Sequence, residues 1–178
     1  MKRFILTGTP GSGKTVIIRQ LELEGFAVVE EAATDIIALE QARGIRKPWR
    51  NAAFIDEVAN LQKQRQLRAL PQQNAIQFHD RSLICTAALA VYLNYPISEN
   101  LSCELDRIKR ERIYQQRVFF IRNLGFIAPS EARRISFEDA LRFEQIHEEI
   151  YRSHGFEIAY IEPASLEERV AVIKRLIQ

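Results

Sequence analysis

The sequence contains little of what marks secreted, membrane or disulfide-stabilised proteins. Only two of its 178 residues are cysteines, Cys85 and Cys103, and they form no C-x-x-C pair. We therefore expect two free, buried thiols and a reducing compartment. No apolar run approaches the ~20 residues that a membrane-spanning helix needs, and the residues after Met1 carry no signal-peptide pattern. These absences predict a cytoplasmic protein that does not contact a membrane.

The sequence also has no large excess of positive or negative charge. The 25 basic and 23 acidic residues leave a net charge of +2, which gives no reason to expect a nucleic-acid partner. A basic run at 107–112 invites that interpretation, but interspersed acids and the apolar Leu105 and Ile108 favour a solvated amphipathic helix. The three histidines lack metal-ligand spacing. Length and composition fit one globular domain over residues 1–178.

Short apolar runs alternate with longer amphipathic ones along the whole chain. This alternation predicts an α/β fold in which a five-stranded parallel sheet is covered by helices on both faces. The predicted strands are 3–7, 26–29, 74–79, 118–121 and 156–161. The predicted helices are 14–24, 30–43, 54–70, 83–93, 99–115, 136–154 and a last one capped by Ser165 and Glu168. Ligands of such sheets bind beyond the carboxyl ends of the strands.

A complete phosphate-binding loop of the Walker A type follows the first predicted strand. Its residues match G-x-x-x-x-G-K-S/T and run as Gly8-Thr9-Pro10-Gly11-Ser12-Gly13-Lys14-Thr15, with Val16 opening the next helix. The glycines let the backbone wrap a phosphate, and the helix N-terminus offers free N–H groups to the anion. Lys14 is expected to reach the β- and γ-phosphates, and the Thr15 hydroxyl to ligate Mg²⁺. The motif predicts a protein that binds a nucleoside triphosphate.

The third strand predicts the second metal ligand. Asp80 ends this strand and is our candidate to share Mg²⁺ with Thr15, although an aspartate here can also cap the following helix. Hydrolytic P-loop ATPases usually place a water-activating glutamate next, but here Arg81 follows. A cation suits a charged acceptor better than it suits water activation, and an ion pair is the simpler alternative for Arg81. The sequence also lacks the Asn-Lys-x-Asp motif of GTPases and the Leu-Ser-Gly-Gly-Gln motif of transporter ATPases.

Taken together, these segments resemble the AAA-type ATPase and kinase domain family within the P-loop kinases, which is similar to nucleoside, nucleotide and ribosylnicotinamide kinases. The resemblance rests on the P-loop, on Glu30-Glu31-Ala32 after strand two, on Asp80-Arg81-Ser82 after strand three and on an arginine-rich segment after strand four. It covers essentially the whole chain. It implies the doubly wound three-layer fold with strand order 2-3-1-4-5, and Mg-ATP as phosphoryl donor. It does not fix the acceptor.

The resemblance also suggests residues for the acceptor side and for a lid. It places Glu31 near the acceptor, where a carboxylate can act as base; stabilisation of a helix N-terminus is the alternative. Arg133 and Arg134 lie where P-loop kinases carry lid arginines, although such a pair is often only solvated. Trp49, the only tryptophan, has basic neighbours and either stacks on a ring or packs over a helix end.

We therefore expect a small-molecule kinase whose catalytic residues are Lys14, Asp80, Arg133 and Arg134 and whose acceptor contacts Glu31, Arg81 and Trp49. Its partners are then Mg-ATP and a nucleoside, nucleotide or nucleotide-precursor acceptor. A regulatory ATPase that acts through a protein partner is the alternative, as is a nucleotide-dependent binding module. Phosphoryl transfer needs little from a protein beyond alignment and charge neutralisation, so an acceptor pocket beside the γ-phosphate separates the kinase from the other two.

Overall fold

The computed structural model describes residues 1–8, 11–68, 76–123 and 137–178, which form five strands and seven α-helices. The strands are β1 (Lys2–Gly8), β2 (Ala27–Val29), β3 (Ile76–Asp80), β4 (Arg117–Ile121) and β5 (Glu157–Ile161). The helices are α1 (Lys14–Leu23), α2 (Ala33–Ala42), α3 (Ala53–Arg68), α4 (Leu83–Tyr92), α5 (Glu99–Glu111), α6 (Phe137–Ser153) and α7 (Leu166–Leu176). Within the described ranges, no helix is long and apolar enough to cross a membrane.

The sheet is parallel throughout and has the strand order β2-β3-β1-β4-β5. The predicted fold class and strand order are therefore confirmed. β1 lies in the centre, where Leu6 is in register with both Asp80 of β3 and Phe119 of β4. Because all strands run the same way, the segments after β1, β2 and β3 meet at one edge of the sheet. This edge brings together the P-loop, Glu31 and Asp80-Arg81.

Alternate residues of the strands enter separate cores on the two faces of the sheet. Phe4 and Leu6 of β1 point to one face, where α1 and α7 cover an aromatic group in which the ring centroids of Phe4 and Phe119 are 5.6 Å apart. Ile5 points to the other face and packs under α3, α4, α5 and α6. Both faces of the central strands are thus buried, which explains why they read as continuous apolar runs.

The structure changes several expected boundaries. Helix α2 starts at Ala33 rather than at residue 30, so Glu30 and Glu31 lie in the turn after β2. Pro48–Arg50, expected as a loop, forms one turn of 3-10 helix with proline at its first position. The predicted capping box of Ser165 and Glu168 is present. Residue 136, where the sixth helix was predicted to begin, lies outside the described residues.

Helix α5 is amphipathic as predicted, but its cysteine is not buried. Leu101, Leu105 and Ile108 form its buried stripe. Cys103 is exposed because it follows Leu101 by two residues, about 200° around the helix, and so faces solvent. The expectation that both thiols are buried was therefore wrong for Cys103 and correct for Cys85.

The backbone of β4 leaves no room for a side chain at Gly8, where the P-loop begins. Its φ is +144°, and an added Cβ would lie 2.4 Å from the Ile121 carbonyl oxygen. Gly8→Ala should therefore lower the free energy of unfolding by at least ~2 kcal/mol, measured by chemical denaturation. Gly44→Ala is the control, because Gly44 has a φ of +92° but no atom near its Cβ position. Equal losses in the two variants would contradict a steric constraint at Gly8.

Candidate active site

The P-loop leads from the carboxyl end of β1 into α1. Gly11 and Gly13 have φ values of +84° and +80°, a conformation that side chains with a Cβ rarely adopt. Gly13 precedes the first residue of α1, and the first turn of this helix contains no acidic residue. The helix N-terminus is therefore available to an anion. Thr15 and Val16 are exposed at this end, whereas Thr9 and Pro10 lie outside the described residues.

The P-loop lysine lies between two carboxylates. Lys14 is only 7% exposed, and its Nζ forms a short ion pair with Asp80. The same nitrogen is 3.8 Å from Oε2 of Glu31. A buried ammonium needs such counter-charges, because desolvation disfavours an unpaired charge. Lys14, predicted for the phosphate-donor side, and Glu31, predicted for the acceptor side, are thus neighbours.

Asp80 is not the cap of the helix that follows it. Ser82 has that role, since its Oγ accepts a hydrogen bond of 3.2 Å from the N–H of Ile84. The carboxylate of Asp80 instead faces Lys14 at the end of β3. Hydroxyl and carboxylate oxygens such as those of Thr15 and Asp80 are suitable ligands for Mg²⁺. Phosphate and water oxygens would complete the coordination shell of the ion. Among the described residues, no three His, Cys, Asp or Glu side chains cluster as a metal site.

Arg81 contacts the start of the P-loop, the carboxylate of Glu31 and helix α6. Its φ is +67°, and its main-chain N–H donates to the carbonyl of Leu6 over 2.9 Å. The guanidinium donates 2.7 Å to Oε2 of Glu31 and 3.0 Å to the carbonyl of Gly8. The ion pair considered for Arg81 therefore exists, and it orients the Glu31 carboxylate.

Glu31 is ionised despite its burial. Burial by itself raises the pKa of Glu31, but the charges of Arg81 and Lys14 and the hydrogen bond from Thr34 outweigh it and lower the pKa to about 2. Thr34 lies in the first turn of α2, so Glu31 contributes to the start of that helix as well. By contrast, Glu30 is exposed and pairs with Arg19.

A cavity of about 390 Å³ opens beside this ionic group. Glu31, Arg81 and Trp49 all line it, so the three residues predicted for the acceptor side share one space. Trp49 also packs against the core, and its carbonyl accepts a hydrogen bond of 3.1 Å from the Tyr95 hydroxyl, while stacking of its indole on a ring stays a prediction. The remaining wall is largely apolar and includes Ala32, Ile37, Phe54, Val58, Cys85, Leu89, Tyr92, Leu93 and Phe143.

Several residues around the cavity were missed by sequence reasoning. Gln62 of α3 accepts a hydrogen bond of 2.9 Å from the N–H of Ala32 and so holds the turn that carries Glu31. Tyr151 of α6 is fully buried and contacts Ser82 at 3.1 Å and Cys85 at 2.9 Å. His147, one turn earlier, lies 3.5 Å from the guanidinium of Arg81. These partners are 30 to 69 residues apart in sequence, so no local pattern could identify them.

The predicted lid arginines, Arg133 and Arg134, lie outside the described residues, and their role remains a prediction. The described chain resumes at α6, whose His147 and Tyr151 contact the turn after β3. Helix α6 therefore packs on the candidate site through His147 and Tyr151.

Comparison with known proteins identifies the family. A family model described as an AAA domain matches residues 3–169, so the chain belongs to this family. No curated protein matches the sequence.

Solved structures share the fold. Deoxyadenosine kinase from M. mycoides, with dCMP and dCDP bound, superimposes with a TM-score of 0.65 at 14% identity, and the alignment covers 98% of both chains. NadR protein in complex with NAD and AMP-PNP gives a TM-score of 0.68 at 18% identity over 98% of this chain. This chain spans only 48% of NadR's length. The chain thus has a P-loop kinase-like fold similar to that of nucleoside kinases.

The buried histidines predict how stability depends on pH. Burial and the charge of Arg81 lower the pKa of His147 to about 3, and burial with the charge of Arg3 lowers that of His79 to about 3. Between pH 6.5 and 5 the unfolded chain then binds more protons than the folded one. The free energy of unfolding should fall with decreasing pH in this window, by up to about 1.4 kcal/mol per pH unit for each histidine.

Denaturation at pH 5.0 and 6.5 checks this expectation in the wild type and in His147→Gln. The variant should show a smaller loss between the two pH values, because one buried imidazole no longer resists protonation. His154→Gln, at the end of α6, controls for removing an imidazole. A pH dependence that is unchanged in His147→Gln would contradict the assignment.

Proposed function

We propose that this AAA-domain protein is a small-molecule kinase that transfers the γ-phosphoryl group of Mg-ATP to a hydroxyl group of a nucleoside-like acceptor. One observation carries the proposal: Glu31 lines the cavity and also lies 3.8 Å from the ammonium of Lys14. A hydroxyl held by Glu31 would therefore be next to the group that binds the β- and γ-phosphates. Phosphoryl transfer requires this proximity of donor and acceptor.

The donor half follows from the P-loop. The loop's N–H groups and Lys14 would hold the triphosphate, and the phosphates would compete with Asp80 for the ammonium. Thr15 and Asp80 would hold Mg²⁺, which would neutralise charge on the transferring group when bound. We further propose that Arg133 and Arg134 close over the phosphates.

The acceptor half depends on the Glu31–Arg81 pair. Glu31 is ionised at neutral pH, because its pKa is about 2, and it can accept a hydrogen bond from an acceptor hydroxyl. Arg81 holds one carboxylate oxygen at 2.7 Å, which fixes the direction of the other. Glu31 would thus orient the attacking oxygen. Because a carboxylate of such low pKa is a weak base, it would receive the proton late, once the bond to phosphorus has made the hydroxyl strongly acidic.

The lining of the cavity favours an uncharged acceptor over a nucleoside monophosphate. Its described residues include two carboxylates, Glu31 and Asp139, and only one cation, Arg81. The charge of Arg81 is already paired with Glu31 at 2.7 Å, and its guanidinium also donates to the Gly8 carbonyl, so Arg81 offers a phosphate dianion little unpaired positive charge. Trp49, Phe54, Tyr92 and Phe143 provide aromatic surface suited to a planar base.

A regulatory ATPase is less well supported. Hydrolysis needs only a water molecule beside the γ-phosphate, so it gives no reason for a cavity of about 390 Å³ at this position. It is also usually assisted by a carboxylate after the metal-binding aspartate, and that position is Arg81. Both observations support an acceptor larger than water.

The two adjacent glutamates provide a matched test. Glu31→Gln should lower kcat for acceptor phosphorylation by about 100-fold or more, because a general base typically contributes 10²–10⁴-fold. Glu30→Gln should retain wild-type turnover, because Glu30 is exposed and pairs only with Arg19 among the described residues. Acceptor-dependent formation of ADP measures turnover. The Kd of ATP measures separately whether each variant still binds the phosphoryl donor. Equal turnover in the two variants would contradict the role of Glu31.

A further inference from the structure

Arg169 of α7 is a buried cation directly against the P-loop. The apolar stripe of α7 includes Val170 and Ile173, which are buried in the core that covers α1. Arg169 lies beside this stripe and is 4% exposed. One of its terminal nitrogens donates a hydrogen bond of 2.6 Å to the carbonyl of Ser12. A residue near the end of the chain thus contacts the centre of the Walker A loop.

The charge of Arg169 has no counterion in the described part of the chain. None of the ion pairs there includes Arg169, and its Nε has no hydrogen-bond partner among those residues. Burial accordingly lowers the pKa of its guanidinium. An unpaired buried charge normally destabilises a protein. Arg81, by comparison, is paired with Glu31 at 2.7 Å. The position of Arg169 therefore needs an explanation other than stability.

The geometry of one peptide group gives that explanation. The carbonyl of Ser12 and the N–H of Gly13 belong to the same peptide, and no cis bond occurs among the described residues. In a trans peptide these two groups point in opposite directions. Holding the Ser12 carbonyl toward Arg169 therefore turns the Gly13 N–H to the other side. A charged donor on the carbonyl also polarises the peptide and strengthens that N–H as a donor.

We propose that Arg169 is a positioning residue for nucleotide binding: it orients the Ser12–Gly13 peptide so that the Gly13 N–H faces the phosphates of the bound nucleotide. This inference rests on the nucleotide-binding half of the proposed function and not on the identity of the acceptor.

Three variants on one helix test the role of Arg169. Arg169→Met should raise the Kd of both Mg-ATP and ADP at least tenfold in titration calorimetry. Arg169→Lys keeps a cation on a shorter, unforked side chain and should raise both constants by a smaller factor. Arg175→Met removes an exposed arginine from the same helix and should bind like the wild type.

Thermal denaturation without nucleotide separates positioning from a structural role. The Tm of Arg169→Met should equal or exceed that of the wild type, because the variant loses an unpaired buried charge. A lower Tm combined with unchanged Kd values would mean that Arg169 only stabilises the fold, and would overturn the proposal. Should Arg169→Met fail to fold, wild-type affinity in Arg169→Lys would overturn it equally. Failure of the wild type to bind ATP or ADP would refute nucleotide binding itself.

Discussion

The ionic group formed by Lys14, Glu31, Asp80 and Arg81 connects the three strand ends that make the site. Its two cations and two carboxylates come from the end of β3 and from the segments after β1, β2 and β3, which parallel pairing brings to one edge of the sheet. In this partly buried setting each charge is stabilised by its opposite neighbours more strongly than it would be in water. Because an unpaired buried charge is energetically unfavourable, the four charged side chains hold one another in place. An incoming polyphosphate would exchange one counterion of Lys14 for another rather than create a new buried charge.

The ionic group joins the loop predicted to bind the phosphoryl donor to the cavity predicted to bind the acceptor. Lys14 belongs to the loop that would bind the triphosphate, and Glu31 belongs to the wall of the cavity. Arg81 contacts both sides through Glu31 and the Gly8 carbonyl. The similar solved structures are 14% and 18% identical to the chain and show the fold alone. The choice of acceptor therefore depends on the cavity's own residues.

The parts of the structure encoded by contiguous sequence were predictable, and those made by distant contacts were not. The P-loop is a single eight-residue motif, and strands such as β4 are apolar on both faces, so both are visible in the sequence. The order of the strands came from the family resemblance. Glu31 and Arg81 could be proposed from their places after strands and from the family resemblance, and Trp49 from its basic neighbours, but the cavity that joins them could not be predicted. Arg169 and Ser12 are 157 residues apart, and only packing of α7 beside α1 brings them together. Cys103 was misjudged because burial on an amphipathic helix depends on register, not on residue type.

The most direct test of the account is phosphoryl transfer from Mg-ATP across a panel of nucleosides, nucleoside monophosphates, ribosylnicotinamide and small sugars. Products are identified by mass, and a reaction without acceptor measures plain hydrolysis. The account predicts a phosphorylated nucleoside or nucleoside-like product well above that background, and no comparable product from the monophosphates. Hydrolysis that is indifferent to every acceptor would contradict it and would indicate a regulatory ATPase.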